Sequence, residues 1–224
     1  MKVTGSSNVL REEAFDIENP EVSVATVSSD VQVLESPDGK CHVVIFGKTD
    51  DARNLEELVE IAARDGKVSI RVDKKSHGFR GLFSGASADL FVLVKLPKTS
   101  TLKITTVSAD VEVDQALLSV DIGTVSGDIS VLHNPAGGCN LKTVSGDIST
   151  HTFSSCQYSL KSVSGDIKVH VAPGLEVDVD GKSVSGDLES EISLNSNFGA
   201  PSENAEIVTI RTSTVSGDFT LARN

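Results

Sequence analysis

The tetrapeptide V-S-G-D recurs five times in the second half of the chain, and its spacing constrains the fold more than any other feature. The copies are Val125–Asp128, Val144–Asp147, Val163–Asp166, Val184–Asp187 and Val215–Asp218. Two degenerate copies, Val27-Ser28-Ser29-Asp30 and Val107-Ser108-Ala109-Asp110, extend it toward the N-terminus. From repeat Val to repeat Val, over positions 107, 125, 144, 163, 184 and 215, the steps are 18, 19, 19, 21 and 31 residues. A near-constant step in this range is the mark of a solenoid, in which each unit buries its apolar face only against its neighbours.

Composition agrees. Of the 224 residues 38% are hydrophobic, yet only 4% are aromatic and none is Trp. That suits a narrow core of stacked Val, Ile and Leu rather than a wide globular interior. The expectation is an all-β, single-stranded β-solenoid (β-helix) of about 19-residue coils. It forms one elongated domain over residues 1–224, with regular coils over 101–224 and N-terminal strands, a short helix and a hairpin insertion over 1–100.

In the first hundred residues, Phe15-Asp16-Ile17, Val22-Ser23-Val24, Val31-Gln32-Val33 and Val43–Phe46 read as strands. Ser36-Pro37-Asp38-Gly39 has Pro and Gly where a type I turn wants them. Asn54-x-x-Glu57 resembles a capping box, and Leu55, Leu58, Val59 and Ala62 fall at helical spacing, which predicts a helix to about residue 60. Asp65-Gly66 reads as a type I′ turn pairing Val59-Glu60-Ile61 with Val68–Val72. Leu90–Val94 is a buried strand closed by Pro97. Between them lies a glycine-rich, basic and apolar segment, Lys74 to Ala88. Its Lys74, Lys75, Phe79, Arg80, Leu82 and Phe83 form a possible interaction loop toward a partner or a membrane surface. Leu194 to Ala205, rich in Ser, Asn, Gly and Pro, reads as a loop inside the 31-residue step.

Each unit follows L-x-x-V-S-G-D-I. Leu160 and Ile167 both point inward but are seven apart, an odd separation, so the pleat slips once between them. The glycine is the expected place, because a residue without Cβ tolerates a bulge or corner. Whether the repeat Val or the repeat Ser faces the core is left open by the pattern. Gly127, Asp128, Gly146, Asp147, Gly165, Asp166, Gly186, Asp187, Gly217 and Asp218 are thus structural corner residues. Stacking at the strand spacing of about 4.8 Å makes files of like charge: one of Asp110, Asp128, Asp147, Asp166, Asp187 and Asp218, another of Lys142, Lys161 and Lys182. Backbone N–H groups at the corners are the expected offset for the carboxylates.

The formal charge of -12 and pI near 4.8 exclude a phosphate backbone as partner, which would need clustered Lys and Arg. Cys41, Cys139 and Cys156 are odd in number and widely spaced, so neither a disulfide framework nor a zinc site is expected, and a reducing compartment fits. No apolar signal core follows Met1, and the apolar runs are strand-sized, so the chain reads as cytoplasmic, with envelope association through a partner. His151 and His170 share a register, with His133 one residue off, but two imidazoles without a fixed third ligand make no metal site. No G-x-S-x-G elbow or glycine-rich phosphate loop before a helix appears, and the Asp file holds no unique catalytic pair. No cofactor is expected and the chain reads as no enzyme.

The repeated T-V-S-G-D-I (Thr124–Ile129, Thr143–Ile148), with an N-terminal strand section and a glycine-rich segment leading into A-D-L-F-V-L-V-K-L-P (Ala88–Pro97), resembles the bacterial putative-adhesin domain family of unknown function. The resemblance implies a β-solenoid without established catalysis, acting as a scaffold or surface protein linked to the cell envelope. The leading expectation is therefore a non-catalytic scaffold or protein-interaction module that self-associates through its solenoid ends. The strong coil at Val215–Leu221, three residues from Asn224, supplies the uncapped end. The alternatives are a carbohydrate- or envelope-binding module and, third, a carbohydrate-active enzyme.

Overall fold

The computed structural model describes residues 8–47, 58–72, 90–192 and 206–224. These contain nineteen strands: β1 (Asn8–Phe15), β2 (Glu21–Thr26), β3 (Asp30–Glu35), β4 (Cys41–Gly47), β5 (Val59–Arg64), β6 (Lys67–Val72), β7 (Phe91–Leu96), β8 (Thr101–Thr105), β9 (Val111–Asp114), β10 (Ser119–Gly123), β11 (Ile129–Val131), β12 (Cys139–Lys142), β13 (Ile148–Thr152), β14 (Gln157–Lys161), β15 (Ile167–Val171), β16 (Glu176–Ser183), β17 (Leu188–Ser190), β18 (Ile207–Thr214) and β19 (Phe219–Arg223). They form two sheets. One runs β1-β4-β7-β3-β9-β11-β13-β15-β19-β17, the other β16-β18-β14-β12-β10-β8-β2-β6-β5.

The coil β2–β3 and those from β8–β9 to β18–β19 each give one strand to each sheet and cross between them at a V-S-G-D corner or its degenerate copy. Inward rows are apolar and in register: Val111, Ile129, Ile148, Ile167 and Phe219 on one sheet, Leu102, Val120, Cys139, Tyr158 and Ile210 on the other. All ten are at most 3% exposed. The narrow aliphatic core is the favourable term that holds the coils together.

Spatial order departs from chain order at both ends. The β2–β3 coil lies between β6–β7 and β8–β9. The last coil in sequence, β18–β19, lies between β14–β15 and β16–β17. The expected bare C-terminal coil is therefore an interior coil, and among the described residues the open end is β16–β17. Side chains give the reason. The inward positions of β18–β19 are Val208, Ile210, Thr212, Thr214, Phe219 and Leu221, whereas β16–β17 offers Val177, Val179, Gly181, Ser183, Leu188 and Ser190. Burying the more apolar coil on both faces removes more apolar surface from water.

The other corrections are local. Of the expected short helix, residues 54–57 lie outside the described residues and Leu58 is helical, while Val59, Glu60 and Ala62 belong to β5 and pair with Val72, Arg71 and Ser69, so the hairpin begins just short of the expected helix end. Asp65 and Gly66 both have positive φ, 51° and 78°, the two-residue turn whose twist matches a hairpin. Pairing across it overrides the helical spacing. The Phe15-Asp16-Ile17 strand ends at Phe15, as the last residue of an eight-residue β1 antiparallel to β4.

Candidate functional site

The V-S-G-D corner is the most elaborated part of the molecule, and in the interior coils its residues are tied to the neighbouring coil. The repeat Val and repeat Ser both point outward, while Gly and the residue before Val point inward. The pleat therefore slips between Val and Ser, not at Gly. The repeat glycines do not adopt positive φ. Their requirement is space: a Cβ on Gly146 would overlap the carbonyl oxygen of Gly127, on Gly165 that of Gly146, on Gly217 that of Gly165, and on Gly186 that of Gly217.

The residue before Val, the Thr of T-V-S-G-D-I, closes each corner, a role the pattern did not reveal. The Oγ of Thr26, Thr106, Thr124, Thr143, Ser162, Thr214 and Ser183 accepts the backbone N–H three residues later at 2.8–3.2 Å. Its signal was present: all seven copies carry Thr or Ser there. Apart from Ser28, each repeat Ser donates both its N–H and its hydroxyl to the repeat Val carbonyl of the neighbouring coil, as Ser145 does to Val125 and Ser164 to Val144.

The carboxylates form a relay. Asp30 accepts the N–H of Asp110, Asp110 that of Asp128, Asp128 that of Asp147, Asp147 that of Asp166, Asp166 that of Asp218, and Asp218 that of Asp187, all at 2.8–3.0 Å. The file thus runs 166, 218, 187 rather than in chain order. The donor comes from the next coil, so each carboxylate ties two coils together and its charge is offset by a fixed dipole. At the first step, burial pushes the Asp30 carboxyl up, against the Asp110 N–H, and the Asp110 charge adds to the rise.

Asp187 ends the relay. Its carboxylate and the carbonyl of Val184 accept no hydrogen bond among the described residues. Leu188 is 52% exposed although Ile129, Ile148, Ile167 and Phe219 in the same row are buried, and Val184 is 80% exposed against 44–46% for Val107, Val125, Val144, Val163 and Val215. From Glu176 to Glu191 this end coil carries six acidic residues and one Lys.

The remaining candidates separate. Lys142 and Lys161 are register neighbours, but Ser213 lies between Lys161 and Lys182, because the interior β18 breaks the expected Lys file. His151 and His170 stack, with ring centroids 4.4 Å apart. Burial, His151 and Lys168 hold the His170 pKa down. His133 turns instead to Asp114 (3.3 Å) and the Phe153 ring. No group of three His, Cys, Asp or Glu able to hold a metal occurs among the described residues. The cysteines are free and buried. Burial pushes the Cys41 thiol up to about 12 and the Cys156 thiol up to about 11, so neither is a ready nucleophile. Lys74, Lys75, Phe79, Arg80, Leu82 and Phe83 lie outside the described residues, as do Leu194 to Ala205. No helix among the described residues is long and apolar enough to cross a membrane.

Residues 98–222, the span from β8 through most of β19, match the family model described as Toastrack DUF4097. The chain belongs to that family. Its Toastrack coils are shared in outline by solved bacterial structures. A putative cell adhesion protein from Clostridium sporogenes ATCC 15579 is 11% identical, with 96% of this chain and 99% of that one covered at a TM-score of 0.52. A putative adhesin from Bacteroides fragilis NCTC 9343 is 14% identical, with 96% of each chain covered at a TM-score of 0.51. At these identities the likeness is one of fold. Among curated proteins, none matches the chain.

Proposed function

We propose that the chain is a non-catalytic, adhesin-like scaffold that takes a further strand on its open end coil. The observation that carries this is the end itself: β16 and β17 are edge strands of both sheets, and Asp187, Val184 and Leu188 repeat the acceptor and apolar positions that every interior coil fills. Edges of this kind template another strand. The non-catalytic reading is supported by the relay, which commits each corner carboxylate from Asp30 to Asp218 to a backbone N–H.

The six acidic residues of the end coil set the partner's chemistry. Two like ends would repel, whereas a basic segment is attracted. The chain's own Lys74 to Ala88 stretch carries Lys74, Lys75 and Arg80 beside Phe79, Leu82 and Phe83, so the proposed occupant is a second copy joined head to tail. Sedimentation velocity over a concentration series tests it. Oligomers that grow with concentration at low salt, and dissociate at high salt or after Lys74→Glu, Lys75→Glu and Arg80→Glu together, are expected. A strict monomer at high protein concentration and low salt overturns it.

A further inference from the structure

The outward face of the sheet containing β10, β12, β14 and β18 carries a charge arrangement that the fold does not explain. Lys142 and Lys161 occupy directly neighbouring register positions, and like charges on neighbouring strands are destabilising. Arg211 lies one strand over, in register with Ser159 and diagonal to Lys161. All three are exposed, and none has a carboxylate within ion-pair distance among the described residues, although Asp180 is in register with Arg211. Elsewhere charges in files are matched: the corner carboxylates from Asp30 to Asp218 by N–H groups, Asp121 by Asn140 at 2.6 Å and by Lys103.

Beside these cations lies a groove of about 620 Å³ whose lining includes Asp121, Asp178, Asn140, Gln157, Ser159 and Arg211. Lys142 and Lys161 stand two residues further along the strands that carry Asn140 and Ser159, hence on the same face. The groove thus offers donors and acceptors side by side, at the roughly 4.8 Å strand spacing, with the unmatched Arg211 in its lining and Lys142 and Lys161 further along the same face. The outward positions of these strands (Ser119, Asp121, Asn140, Gln157, Thr209, Ser213) hold no aliphatic side chain to enter a bilayer.

We infer that this face binds a carboxylate-bearing polysaccharide strand. Its hydroxyls are met by Asn140, Gln157 and Ser159, and its acid groups by Arg211, which can bind a carboxylate through two N–H donors, and by Lys142 and Lys161. The chain's net charge of -12 opposes long-range attraction of any polyanion, so binding rests on these short-range contacts. The site goes beyond the scaffold reading and stands whether or not the end coil takes a strand.

Titration calorimetry of the full chain with polygalacturonate at low salt is the test, with neutral dextran and phosphatidylglycerol vesicles as comparators. Binding to polygalacturonate alone is expected. It should weaken about tenfold or more in Lys142→Gln/Lys161→Gln and again in Arg211→Gln, and remain unchanged in Lys168→Gln on the opposite sheet. Because relief of repulsion makes the double variant at least as stable as the parent, a loss of binding with an undiminished melting temperature reports the site. No binding to polygalacturonate, equal weakening by Lys168→Gln, or binding to the vesicles in its place overturns the inference.

Discussion

The hexapeptide K-S-V-S-G-D occurs twice without change, at residues 161–166 and 182–187, and the two copies live in different surroundings. The first lies between two coils. Its Asp166 carboxylate accepts the Asp218 N–H, its Gly165 faces the Gly146 carbonyl and offers its own to Gly217, and the following Ile167 is 1% exposed. The second is stacked on one side only. Its Asp187 carboxylate accepts no hydrogen bond among the described residues, and the following Leu188 stands half in water. A motif that reads as a unit therefore has two energies, set by how many neighbours complete it.

Substitutions made in parallel at the two copies measure that difference. The largest effect belongs to Gly165→Ala. Its Cβ would overlap a carbonyl held in place by coils on both sides, so equilibrium denaturation should show a loss of about 3 kcal/mol or more. Gly186→Ala meets the same overlap with Gly217, but the end coil can lift away, and less than half that loss is expected. Equal losses would show that the end coil is held as firmly as the interior.

Next comes Ile167→Ala, at about 2–5 kcal/mol for a fully buried aliphatic residue, against about 1 kcal/mol or less for Leu188→Ala. A comparable cost at Leu188 in a monomer would mean that its exposure is covered in solution. Third, Asp166→Ala removes the acceptor for one N–H and should cost about 1 kcal/mol, whereas Asp187→Ala should be near neutral.

The smallest effect concerns pH. His170 titrates below its ordinary value in the folded state, so the unfolded chain binds the proton more tightly. Its contribution to stability is present above about pH 6.5 and is lost as pH falls through the folded value. His170→Gln should flatten the melting temperature across that window, and an unchanged slope would assign the pH dependence to other groups.

Much of this arrangement was legible beforehand. The step of about 19 residues and the L-x-x-V-S-G-D-I pattern point to coils and to inward Leu and Ile, because a pleated strand alternates and a solenoid repeats. The outward Asp follows from the inward Ile beside it. The role of glycine did not follow: a sequence shows that Cβ is absent but not whether the reason is a torsion or a neighbour, and here it is the carbonyl of another coil. The role of Thr143, Ser162 and their equivalents did not follow either, because their partner is an N–H three residues on, at a corner whose geometry the alternation rule does not describe. Lys142, Lys161 and Arg211 could not be grouped at all, since Arg211 joins them only through the interior placement of β18.

By itself, then, the sequence determined the coil: its length, its apolar inward rows and its corner chemistry, all of which arise within one unit or between equivalent positions of any two. The tertiary structure decided which coil stands next to which. That choice compares whole coils, the apolar set of β18–β19 against the acidic, glycine-containing set of β16–β17, and the free energy of burying each on two faces is a property of the stack rather than of either segment. From that choice come the order of the Asp relay, the broken Lys file, the open end at Asp187 and the cationic face around Arg211.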